Sequence, residues 1–200
     1  MSRRAAGVRA TARVASSRTR AEQIHEQFQQ IEQGAVLAAA TLHTGRVEVA
    51  DAARGVGGLV ADDWAEAVAV TTGGSSLHPR SPEQWARSVF EGAPGPMRWF
   101  LVTGWRSVLR LRLGPRPAPT HVLGWRIVTM ATDVIVLELT SALMTARLVL
   151  RAEGPRVVLT TFVRYERRAA RAVWPFAALT HRRVVPYLLK RAAARPAEPR

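Results

Sequence analysis

The chain of 200 residues carries 29 basic and 15 acidic side chains, a formal charge of +14, and no cysteine. It is long enough for one substantial core, or for a domain of about 150 residues with an extension. Without cysteine there can be no disulfide, thiolate metal site or cysteine nucleophile, which agrees with a cytoplasmic setting. His25, His43, His78, His121 and His181 lack the close spacing of a zinc site, so neither a metal nor a cofactor is expected.

The positive charge is almost all arginine, with Lys190 the single lysine, and it is spread as the coding bias of a GC-rich genome would spread it. No recognition module accompanies it. A solvated basic surface is therefore expected rather than a specific nucleic-acid partner. No apolar run approaches the roughly 20 residues that span a bilayer, so the chain is not expected to be transmembrane.

Residues 1–20 hold Arg3, Arg4, Arg9, Arg13, Arg18 and Arg20, with no acid and no apolar h-region. They read as a disordered basic tail or a start assigned too early, with an organelle transit peptide as the alternative. Within 21–45, Ile24, Phe28 and Ile31 fall at helical spacing over 21–33, a short amphipathic helix that can pack on the domain or dock on a protein partner. A linker follows, and the domain is expected to run from 46 to 195, with 196–200 frayed.

Two extended pieces, 47–50 and 64–70, are separated by Gly55, Gly57 and Gly58, and a glycine- and serine-rich loop covers 71–79. Ser81, Pro82 and Gln84 form a helix start with a capping box, and Trp85, Ala86, Val89 and Phe90 make its buried side. Gly92, Pro94 and Gly95 interrupt it. A second helix of mixed polarity is expected over 96–111, before Pro115, Pro117 and Pro119 exclude regular structure.

From 121 to 165 the pattern becomes alternating, the period of half-buried strands. Runs at 121–130, 134–140, 144–151 and 156–165 with short connections predict an antiparallel meander. The expected register places Arg126, Glu138 and Arg147 side by side on a wet face, with Thr160 beside Arg147 and Arg151 opposite Arg156. The other face is apolar from Trp125 to Val163 and needs a cover. That cover is a helix over 169–193, with Trp174, Ala177, Ala178, His181, Val184, Val185, Leu188 and Ala192 on one stripe. Pro175 is expected near its stable start, and Pro186 is expected to kink it.

The order of strand, two helices, antiparallel strands and one long helix resembles the START-like, polyketide cyclase-like (SRPBCC) helix-grip superfamily, over about residues 46–195. The local likeness is carried by Gly124-Trp125-Arg126-Ile127-Val128, Thr160-Thr161-Phe162-Val163-Arg164-Tyr165 and His181-Arg182-Arg183-Val184-Val185-Pro186. It points to an actinobacterial branch, some of whose members accompany nicotinamide-dependent reductases. The resemblance implies an α+β helix-grip domain, a curved antiparallel sheet wrapped around a long C-terminal helix, with two short helices near the N-terminal end. It also implies an apolar pocket between sheet and helix. Gly55, Gly57 and Gly58 do not continue as a dinucleotide fingerprint, so any reductase would be a separate chain.

The residues expected to line such a pocket are Trp125, Leu137, Leu148, Leu159, Thr161, Trp174, His181 and Val185. Trp85 and Trp99 are further aromatic candidates. His181 lies near the centre of an apolar stripe, where an imidazole is either a core histidine satisfied by a neighbour or an acid, base or donor in the pocket. Thr161 is the hydroxyl on the concave face. Asp62 and Asp63, as neighbours in an extended segment, point apart and make no catalytic pair. The expected function is binding of a small hydrophobic molecule. The alternatives are a cyclase or dehydratase acting on an apolar or polyketide-like substrate through His181, or an accessory subunit of a reductase.

Overall fold

The alternating segments pair into one antiparallel sheet in the computed structural model, which describes residues 43–59, 61–71 and 80–195. The strands are β1 (His43–Val47), β2 (Trp64–Thr71), β3 (His121–Val122), β4 (Trp125–Met130), β5 (Val134–Thr140), β6 (Met144–Glu153) and β7 (Arg156–Tyr165). Their order across the seven-stranded sheet is β1-β2-β7-β6-β5-β4-β3. The helices are α1 (Asp51–Gly57), α2 (Pro82–Phe90), α3 (Gly95–Thr103) and α4 (Arg168–Ala193), and a π-helical turn at Gly104–Val108 continues α3. No helix among the described residues is long and apolar enough to cross a membrane. The expected tail, the amphipathic helix over 21–33 and the frayed end at 196–200 lie outside the described residues.

The meander from β4 to β7 forms as its short connections dictate, but the first run divides. Leu123 and Gly124 both take positive φ, 46° and 90°, so the chain reverses between Val122 and Trp125 in a two-residue turn. Both central residues of such a turn must adopt the left-handed region, which glycine enters at no steric cost. The β6–β7 register also differs from the expected one. Both strands extend to a two-residue turn at Gly154-Pro155, so Glu153 faces Arg156, Arg151 faces Val158, Arg147 faces Phe162 and Thr160 faces Val149. The shift is by two residues, so every side chain keeps its face.

The apolar face packs against α4 and α2. Ile135, Leu137, Leu148, Leu150, Leu159 and Val163 from the sheet meet Trp85, Val89 and Phe90 of α2 and Trp174, Ala178, Val185, Leu188 and Leu189 of α4. Leu189 extends the stripe expected for α4. Pro175 is interior to α4, because the helix starts at Arg168, well before it. The Arg80 guanidinium closes the far end of α4 by donating to the carbonyls of Ala192 and Arg195.

The face expected to be wet is only partly so. Glu138 accepts from Arg126 at 2.5 Å and from Arg147 at 2.8 Å, as the register predicts. Burial pushes the Glu138 carboxyl up, yet the two guanidinium groups prevail and hold it below its ordinary value. Beside this trio, Val134, Val136, Val149 and Phe162 form a second small core with Ala53 and Leu59. The glycines at 55–58 belong to α1 and its end rather than to a free loop. A Cβ at Gly57 would collide with Val149 and Val136, so the absent side chain lets α1 lie close on the sheet. Strand β1 starts earlier than the extended piece expected at 47–50 and ends at Val47, and 48–50 form an irregular connection into α1.

Helix α2 starts where the capping box placed it. Gln84 N donates to Ser81 Oγ at 3.2 Å and Ser81 N donates to Gln84 Oε1 at 2.8 Å. The helix expected over 96–111 stays α-helical only to Thr103, then widens into the π turn. Arg110, at φ 51°, redirects the chain so that Leu109 and Leu111 are buried.

Candidate functional site

Strand pairing brings together residues that are distant in sequence. In the β2–β7 ladder Glu66 stands directly opposite Thr161, and both lie on the face covered by α4. His181 descends from α4 onto this pair. Its Nε2 is 2.9 Å from Thr161 Oγ1 and its Nδ1 is 3.4 Å from Glu66 Oε2. The second separation is long for a hydrogen bond, so Nδ1 faces the carboxylate through a weak contact. Arg182 Nε donates to Glu66 Oε1 at 3.1 Å, and Arg46 approaches the same oxygen at 3.5 Å.

Glu66 is only 8 % exposed, a costly position for a lone carboxylate. His181 lowers its pKa most, burial acts the other way, and Arg182 adds to the lowering, so the carboxyl titrates below its ordinary value of 4.5. A carboxylate beside Nδ1 favours the tautomer with its proton there, leaving the Nε2 lone pair towards Thr161. The Thr161 hydroxyl then donates to Nε2. Trp64 and Trp174 frame the imidazole, with ring centroids 5.2 Å and 6.3 Å from it.

Thr161 and His181 belong to the wall of a cavity of about 310 Å³ between the sheet, α4, and α3 with its π turn. Trp125, Leu148, Thr161, Trp174, His181 and Val185, all expected at a pocket, line it; Leu137 and Leu159 are buried in the same core but are not among the lining residues. Phe90, Ala146 and Val184, expected on buried faces but not at a pocket, also line it, and Phe100, Leu101, Trp105 and Phe176 are lining residues that periodicity did not single out. Trp85 is core, stacked under Arg80, and Trp99 points to solvent. On one side Trp105 packs edge-on against Trp125 at 5.4 Å and against Phe90 at 6.2 Å.

Besides His181 Nδ1, two buried polar atoms of the lining residues have no hydrogen-bond partner among the described residues. The indole nitrogens of Trp125 and Trp174 are both buried without a hydrogen-bond acceptor. A buried donor left unpaired costs about 1–3 kcal/mol.

Glu66 went unnoticed in the sequence, although it was the one carboxylate on the inward face of an otherwise apolar strand, in register with Trp64, Val68 and Val70. That placement was the available signal. Asp62 and Asp63 lie before β2 and serve separate partners: Asp62 pairs with Arg54 at 3.0 Å, while Asp63 Oδ2 accepts from the Tyr165 amide at 2.7 Å. No group of histidines and acids capable of holding a metal occurs among the described residues.

Comparison with protein-family models, curated proteins and solved structures found no match to this chain. The site must be interpreted from its own geometry.

Proposed function

We propose that the protein binds a small apolar molecule in the cavity between the sheet and α4. The observation that carries this is a cavity whose lining is almost wholly apolar, with Thr161, Thr180 and His181 as its few polar side chains. A volume of about 310 Å³ lies at the small end of ligand pockets and suits a compact molecule. Apolar rings supply contact area, and a few convergent donors orient the ligand. A long C-terminal helix over one face of an antiparallel sheet also supports reading the domain as a helix-grip fold of the START-like kind.

The test is native mass spectrometry of protein purified from its own host, followed by denaturation and identification of what is released. A stoichiometric apolar molecule is the expected result. A folded chain that carries none, and that takes up no such molecule when offered, would overturn the proposal.

The Glu66–His181–Thr161 arrangement favours a second reading, an enzyme of cyclase or dehydratase type in which His181 moves a proton. Glu66 would hold the imidazole and offset the positive charge it gains, and the cavity would fold the substrate around it. On this reading His181→Gln lowers turnover of the released compound at least about 100-fold while ligand occupancy persists. Unchanged turnover would remove the histidine from the chemistry.

A further inference from the structure

Helix α3 is apolar in sequence, yet it buries no residue fully, and neither does the π turn after it. Met97, Leu101, Val102 and Trp105 rest partly on the core. Their neighbours Trp99, Phe100 and Val108 face outward, with Trp99 70 % exposed. Across the cavity mouth, α4 exposes Phe176 (74 %) and, one turn further on the same side, Leu179. Phe100, Val108 and Phe176 also line the cavity, so the exposed rim is continuous with the apolar interior. Apolar groups of this size clustered at one opening mark an interaction surface rather than ordinary surface scatter.

The two segments that form this rim carry charge of one sign. The sequence contains no acidic residue between Glu91 and Asp133, and none within α4. Arg98, Arg106 and Arg110 on one side, and Arg183 and Lys190 on the other, are exposed. A second copy docked about a two-fold axis would set this cationic rim against itself. A surface of negative charge with an apolar interior meets both features at once.

We propose that the cavity mouth docks on an anionic lipid bilayer, with Trp99, Phe100, Phe176 and Leu179 entering the interface and the surrounding arginines facing lipid phosphates. Seated so, the cavity opens towards the acyl region, and an apolar ligand exchanges without crossing water. That last consequence rests on the ligand-binding function proposed above; the docking itself does not.

The experiment is flotation of the full-length protein with vesicles of phosphatidylcholine alone, and with vesicles containing about one third phosphatidylglycerol, at low and high salt. The protein is expected to float with the anionic vesicles only, and less so at high salt. The double variant Trp99→Ser, Leu179→Ser should reduce the bound fraction at least about tenfold. Neither residue lines the cavity, so ligand occupancy by native mass spectrometry should be unchanged, which separates failure of docking from failure of ligand binding. Absence of flotation, or equal flotation of the double variant, would overturn the proposal. Self-association that the double variant abolishes would assign the rim to a second copy and overturn it equally.

Discussion

The Glu66 carboxylate links β2 to α4 through His181 and Arg182, so its protonation state bears on how firmly the helix is held to the sheet. Its pKa lies below 4.5 in the folded chain, chiefly through His181, so as pH falls the unfolded state takes up the proton first. The stabilisation is therefore complete above about pH 4.5 and is lost as pH drops through the folded value. Glu66→Gln should cost about 1–3 kcal/mol at neutral pH, and the gap to the parent should close in acid. Urea denaturation of both proteins across that range measures it. A gap independent of pH would show that the charge of Glu66 contributes nothing.

Within elements, similar residues carry unequal weight because neighbouring elements cover them unequally. Trp85 and Trp99 both look like inward aromatic positions in sequence, and the helices that bear them are adjacent in the chain. Helix α2 is held by its capping box and by Arg87, which bonds Glu83, Glu91 and the carbonyls of Pro119 and His121, so Trp85 is pressed into the core. Helix α3 has no such ties from Trp99. Trp85→Ala should destabilise by about 3–5 kcal/mol, whereas Trp99→Ala should stay within about 0.5 kcal/mol. Thermal denaturation of the two variants decides it; a large loss for Trp99→Ala would mean that the rim is packed rather than open.

At the scale of the whole molecule, the cavity is space left where the sheet, α4 and the π turn meet. Ala146, on the strand at the middle of the sheet order, lines it beside Leu148. Ala146→Phe should fill the space, abolishing ligand occupancy while leaving stability equal or higher by about 0.5–2 kcal/mol. Native mass spectrometry and a melting curve test both halves. A marked fall in melting temperature would indicate overpacking of a site with no room.

What the sequence determined by itself was local. Alternation from Trp125 to Tyr165 marked the strands and their faces, Ser81 with Gln84 marked the start of α2, and the stripe from Trp174 to Ala192 marked the inner side of α4. Each signal lies within a few residues along the chain, where backbone geometry alone relates the side chains. Tertiary structure decided the rest. The pairing of β2 with β7 set Glu66 opposite Thr161, α1 covered Phe162 on the face expected to be wet, and α3 left Trp99 outside. Periodicity says which residues share a face; it cannot say which distant strand will lie alongside or what will cover that face. Those outcomes depend on how the sheet and all its helices share the available burial, and no single segment contains that information.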